Sequence, residues 1–312
     1  MEEHRAYFMR TREQVIPGIL ELFNQYAIHA TWATVGLLFH KNRVELENTI
    51  PIDKPTYDFL NLSAYHFMKH EGIGNDELED PLHYSASIVK KIASVPYQEL
   101  GTHSYSHYFC NEPGQTPEQF RADLQAAKKA AEPFNVALNS LVFPRNQFNS
   151  GYLAVCKQEG IKSVRTNPTD WFWNIKSTQK ESKWLRLFRG MDAYIPSGDK
   201  KSYPVSQLKM QEGVLLQPAS RLLRPWSPKL KFLNHLKLRR ILKEMTQAAK
   251  AGEVYHLWWH PHNFGWHPEQ NLKELETIVK HFEKLQKKYG MQSKTMTEVV
   301  EDYTLVNAAT NK

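Results

Sequence analysis

Thr116-Pro117-Glu118-Gln119 opens a stretch that ends, after an Ala-rich body, in the apolar run Ser140-Leu141-Val142-Phe143. Thr116 is placed to cap a helix, Pro117 suits its first turn, and Gln119 stands three residues after the cap as the reciprocal capping-box partner. The helix is expected to run to about Ala131, and residues 140–143 then read as a short buried strand. The same helix-then-strand unit recurs on both sides. Val15, Ile16, Ile19, Leu20, Leu22 and Phe23 form a helical stripe ahead of a strand over 28–35 that ends at Gly36. A helix over 85–93 precedes a strand at 97–102, and a helix over 152–158 closes at Gly160 before a strand at 161–164. Ser227-Pro228 starts a basic helix that stops before Gly252, a strand follows at 254–259, and Pro268-Glu269 opens a last long helix ending at Gly290. Strands separated by helices of this length imply an α/β fold with a parallel sheet, open or closed into a barrel. Between 166 and 226 the pattern is irregular and broken by Pro168, Pro196, Pro204 and Pro218, so a loop-rich insertion, with long loops and short strands over one face, is expected there within one domain spanning 1–312.

The 312 residues are 41% hydrophobic and 23% charged, which excludes a disordered, collagen-like or coiled-coil chain. The formal charge of +7 is too small to point to nucleic acid, and no nucleic-acid partner is expected. Much of it is local: within 221–250 nine Lys and Arg face a single acid, Glu244. That segment reads either as a solvated helix face or as weak contact with an anionic glycan or membrane surface. Two cysteines, Cys110 and Cys156, are too few for a disulfide framework, and with neither a signal peptide nor a long apolar run a cytoplasmic location is expected.

In parallel α/β folds the chemistry collects at the carboxyl ends of strands. Three such ends stand out. After Thr102 come His103 and His107, four apart on what reads as one helical turn, a spacing that suits a divalent ion, zinc first, or two surface histidines. After Phe143 come Arg145 and Asn146, which suit a carboxylate or sugar hydroxyls, or an ordinary loop salt bridge. The third end, His256-Leu257-Trp258-Trp259-His260-Pro261-His262, offers imidazoles able to act as acid or base near neutral pH.

Taken in order, these segments resemble the polysaccharide deacetylases, the NodB-homology or carbohydrate esterase family four group, over most of residues 15–300. Residues 19–36 look like that family's helix and second strand, His103-Ser104-Tyr105-Ser106-His107 is similar to its metal motif, and Phe143-Pro144-Arg145 to its arginine motif. Trp258-Trp259-His260 is similar to its late strand. The resemblance implies a distorted (β/α) barrel and a metal-dependent hydrolase that removes N-acetyl, sometimes O-acetyl, groups from a carbohydrate. It makes His103 and His107 ligands of a divalent metal, Zn2+ by preference, and His260 the acid, with His262 as competitor. Arg145 would orient the substrate or a carboxylate, and Trp171, Trp259 and Asn146 are the expected substrate contacts. The family's acidic pair, which supplies a ligand and the base, belongs on a first strand, but residues 1–10 contain no apolar strand ending in acids. Three readings follow: the pair lies upstream of Met1, which is favoured; the chain is truncated; or Glu2, Glu3, Glu112 or Asp170 substitutes. A rival from another class is a glycan-binding protein on this scaffold, using Trp171, Trp173, Trp226, Trp258 and Trp259 as stacking surfaces.

Overall fold

In the computed structural model, residues 2–168, 170–173, 183–194 and 200–310 are described. Helix α1 (Glu2–Arg10) passes through a π-helical turn (Thr11–Val15) into α2 (Ile16–Gln25), which delivers the chain to β1 (Ala30–Thr34). Short helices α3 (Arg43–Glu47) and α4 (Ala64–His70) precede α5 (Ala86–Ser94), β2 (Gln98–Thr102), α6 (Pro117–Ala131), β3 (Ser140–Val142), α7 (Ser150–Gln158) and β4 (Ser163–Thr166). Then come α8 (Lys183–Asp192), β5 (Lys209–Gln211), β6 (Val214–Pro218), β7 (Arg221–Leu222), α9 (Lys231–Ala251), β8 (Leu257–Trp258), α10 (Pro268–Tyr289) and α11 (Met296–Thr310).

The sheet order is β1-β2-β3-β4-β6-β5, parallel except for the β5–β6 hairpin, with β7 and β8 as a separate parallel pair. This is the expected α/β architecture with a parallel sheet; hydrogen bonding does not close it into a barrel among the described residues. The capping box at Thr116 and Gln119 forms as its residue types dictate. One difference from the sequence reading is that β6 lies within 166–226 and pairs with β4, so the central sheet continues through that stretch. Its signal was hidden by Pro218, which ends β6 where a strand tolerates it.

Packing follows the pleat. Val164 and Leu141 face α6 and α7 in one apolar cluster with Phe120 and Phe143, and Cys110 and Cys156 lie free and buried there. A second cluster joins α2, α9 and α10 through Ile19, Phe23, Ile241, Ile278 and Phe282. The opposite side of the main sheet carries a small apolar cluster of Leu208, Leu215 and Val299 and, on β2, a polar centre at Glu99. Its carboxylate accepts from Thr31 Oγ1 (2.7 Å), Ser140 Oγ (2.7 Å), Thr297 Oγ1 (2.6 Å) and the Thr297 N–H (3.2 Å), so an acid meets the N-terminus of α11, the end a helix dipole makes positive. Glu99→Ala strands these donors and is expected to cost about 2–4 kcal/mol, read by urea denaturation. A loss under about 1 kcal/mol would mean that water replaces the carboxylate freely.

The basic segment also resolves. Arg221 pairs with Glu244 (2.6 Å), Lys237 with Glu274 (2.6 Å), and Arg240 with both Glu244 (3.0 Å) and Asp192 (3.2 Å). Those cations are spent inside the protein, while Lys229, Lys231, Arg239, Lys243 and Lys250 face solvent. No described helix is long and apolar enough to cross a membrane.

Candidate functional site

The strand ends gather a cleft of imidazoles. The His103 N–H donates to Thr34 O (2.9 Å), carrying the β1–β2 ladder one residue past the strands. His103 Nδ1 lies 2.6 Å from Val142 O on the neighbouring strand, and since only a protonated nitrogen can donate there, Nε2 keeps its lone pair for the cleft. The His103 and His107 ring centroids are 4.9 Å apart. They do not meet on a helical turn, as their spacing suggested: Ser104 (φ 61°) and His107 (φ 60°) are both left-handed, so a looped path brings the rings together.

That loop is pinned from below. Asp123, fully buried on α6, accepts the N–H of Tyr105 (2.6 Å), the N–H of Ser106 (3.0 Å) and Ser106 Oγ (2.5 Å). Burial pushes its carboxyl up to about 6 against the pull of these donors. From the side, the Gly36 N–H donates to Ser104 O (2.9 Å), and a Cβ at Gly36 would stand 2.5 Å from the Tyr105 ring, so only glycine permits the approach. Neither Asp123 nor this contact was foreseen. The available signal was an acid on the apolar stripe of a helix, with Phe120 three residues before and Ala127 four after.

His260 and His262 leave the end of β8 with ring centroids 5.3 Å apart. Trp258 meets His260 edge to face (5.5 Å) and carries the guanidinium of Arg165 on its own face, 4.1 Å from the ring centre. Arg165 sits on β4 in register with Val142, and its Nη2 donates to Asn146 Oδ1 (3.0 Å). Asn146 Nδ2 in turn donates to Asn167 Oδ1 (2.8 Å), so Asn146, expected at the substrate, is engaged in holding Arg165. Strand alternation separates the two tryptophans. Trp259, expected to contact substrate, turns into the hydrophobic core against Phe23 (6.2 Å) and Phe264 (6.2 Å), while Trp258 faces the cleft. Trp171 is well exposed beyond β4, with Phe188 5.4 Å from its ring.

The imidazoles are all shifted towards the neutral form. Burial first, then His107 and Arg165 among its neighbours, pulls His103 to about 3; burial and Arg145 take His107 to about 4. His260 falls to about 4 through lost hydration, His262 and Arg165, although part of its ring meets solvent, and His262 is lowered for the first of these reasons. Arg145, left-handed at φ 53°, lies over Phe109 (4.2 Å) and reaches Glu112 (3.4 Å).

Neutral imidazoles suit a divalent ion, and His103, with Nε2 free, and His107 supply two of them. The carboxylate that would complete the set is not beside them. Glu112 accepts from Gln147 Nε2 (2.9 Å) and Arg145, Asp170 accepts from Lys201 Nζ (2.5 Å), Glu3 is exposed on α1, and the Glu2 side chain lies outside the described residues. Among the described residues no group of three or more His, Cys, Asp and Glu could hold a metal ion, so these residues offer half of a metal site.

A family profile described as polysaccharide deacetylase matches residues 7–164, just over half of the chain. Among solved structures, the chain is similar to a proposed polysaccharide deacetylase from Mycobacterium smegmatis, at 13% identity and TM-score 0.57, over 98% of this chain and 81% of that one. It is similar to a GH57-type branching enzyme from Pyrococcus horikoshii, at 10% identity and TM-score 0.52, over 96% and 66%. It is also similar to the alpha-amylase AmyC from Thermotoga maritima, at 11% identity and TM-score 0.51, over 96% and 70%. At these identities the likeness is one of fold. No curated protein matches the chain.

Proposed function

Since the chain belongs to the polysaccharide deacetylase family, we propose that it acts on an acetylated carbohydrate as a hydrolase that releases acetate, from an N-acetyl group foremost. The observation that supports this is the convergence of His103 and His107 from the end of β2 with His260 from the end of β8, beside Arg165 on β4. A divalent metal, Zn2+ by preference, would take His103 and His107 as ligands and supply Lewis acidity, provided that a carboxylate joins them. The rest falls to the chain's own groups. His260, neutral in the free protein, can take a proton from attacking water, and it can protonate a departing amine only after gaining one, with His262 next to it as alternate carrier. Arg145 places positive charge where an acyl oxygen becomes negative. Trp171 gives a sugar an exposed aromatic face. An intermediate of surface-polysaccharide assembly in the cytoplasm is the substrate this reading favours, with no nucleic acid as partner; Lys229, Lys231 and Lys243 would make any weak contact with an anionic surface.

The decisive assay is acetate release from N-acetylated oligosaccharides with added zinc. His103→Ala is expected to lower it at least tenfold and to abolish zinc-induced thermal stabilisation. That no carboxylate stands beside His103 and His107 among the described residues favours a second reading, a glycan-binding protein on the same scaffold. Undetectable acetate release, combined with saccharide binding that survives a chelator, would replace the first reading with the second.

A further inference from the structure

Most buried cations of this protein have been given a carboxylate: Arg221 has Glu244, Lys237 has Glu274, and Lys201 has Asp170. Arg165 is the exception. It is 9% exposed, and among the described residues it pairs with no carboxylate and its Nε has no hydrogen-bond partner. What it has are devices that fix its plane. Asn146 Oδ1 takes one Nη2 proton at 3.0 Å, and the Trp258 ring lies under the guanidinium at 4.1 Å. Asn146 is itself held by Asn167, and β4 is in register with β3 at Val142, the residue whose carbonyl holds His103. The guanidinium therefore stands at a fixed point of the histidine cleft. A stacking contact and one neutral acceptor are weak returns for removing a full charge from water. Burial takes Arg165 down only to about 9, so it stays charged at neutral pH, and its surroundings of His103, His256 and His260 bring no negative charge. A guanidinium so held presents a planar fork of donors, the shape that matches a carboxylate or a phosphate.

We propose that Arg165 is the docking point for an anionic group, carboxylate or phosphate, carried by the saccharide that enters the histidine cleft. The inference rests on the carbohydrate reading above and narrows it to acidic sugars. Calorimetric titration tests it with four probes: N-acetylglucosamine, its 1-phosphate, the corresponding N-acetylated uronate, and inorganic phosphate alone. In the wild type, at least one charged sugar should bind tenfold or more tighter than both the neutral sugar and inorganic phosphate, the better one naming the anion. Arg165→Met should bring charged and neutral sugars within about twofold. Arg165→Lys, which keeps the charge but not the fork, should retain only part of the preference and covers the case in which the Met variant does not fold. Equal binding of charged and neutral sugars, no binding of any sugar, a preference that survives in both variants, or inorganic phosphate binding as tightly as the sugar phosphate would each overturn the proposal. Acetate release, measured alongside, separates the two failures. Equal release from neutral and charged sugars would remove the acidic-sugar inference and leave the hydrolase. Charge-selective binding without release would do the reverse.

Discussion

Replacing Asp123 with alanine should destabilise the protein by about 3–5 kcal/mol at pH 4.5, because two backbone N–H groups and the Ser106 hydroxyl would be left buried without an acceptor. The effect should depend on pH in a direction fixed by the carboxyl's environment. Its folded value of about 6 lies above the roughly 3.9 of an unfolded aspartate, so the folded state holds the proton more firmly between the two. The stabilisation is therefore fully present below about pH 4 and is lost as the pH rises through about 6. The gap between wild type and Asp123→Ala should shrink by about 2 kcal/mol from pH 4.5 to 7.5, read from urea unfolding of both proteins. A gap that grows with pH would show that the ionised carboxylate is the stabilising form. Since the same side chain holds the turn between His103 and His107, the variant should also lose zinc-induced stabilisation.

Glu244→Ala should cost about 3–5 kcal/mol as well, for a different reason. Glu244 receives Arg221 through Nε (2.6 Å) and Nη2 (2.7 Å), Arg240 through Nε (3.0 Å), and the Tyr255 hydroxyl (2.9 Å). Removing it leaves two guanidinium groups sharing Asp192 in a buried setting. Thermal and urea unfolding would measure the loss. A change under about 1 kcal/mol would mean that Asp192 neutralises both arginines unaided. Glu244→Gln should recover part of the loss through its remaining acceptor oxygen.

The elements with strong local signals were legible: the capping box of α6, the glycine stops of α9 and α10, and the short strands β1 to β4 between helices. The opening helix α1 was not, because its stripe is broken by charges and its docking comes from tertiary contacts, Tyr7 stacked on Trp266 (4.7 Å) and Arg10 Nε donating to Gly265 O (2.6 Å). The histidines were visible at strand ends, but the path joining His103 to His107 depends on two left-handed residues that no spacing rule encodes. Arg165 gives no signal of its own, because the apolar run stops at Val164 and a cation in a buried strand acquires meaning only when its neighbours are known to lack an acid. The choice between Trp258 and Trp259 turns on strand phase, which a one-residue error in register inverts.

The parallel register has a consequence for how the protein comes into being. β1, β2, β3, β4 and β6 are neighbours in space but are joined by long crossovers, and only β5 and β6 pair across a tight turn. Loop closure must precede each parallel contact, which makes such topologies slow to assemble. His103, Arg165 and His260 come from β2, β4 and the end of β8, so no single early-forming fragment contains the cleft. A half-folded chain that lacks any one of these strands therefore has no complete cleft, and the cleft forms only when the main sheet and the β7–β8 pair are both in place.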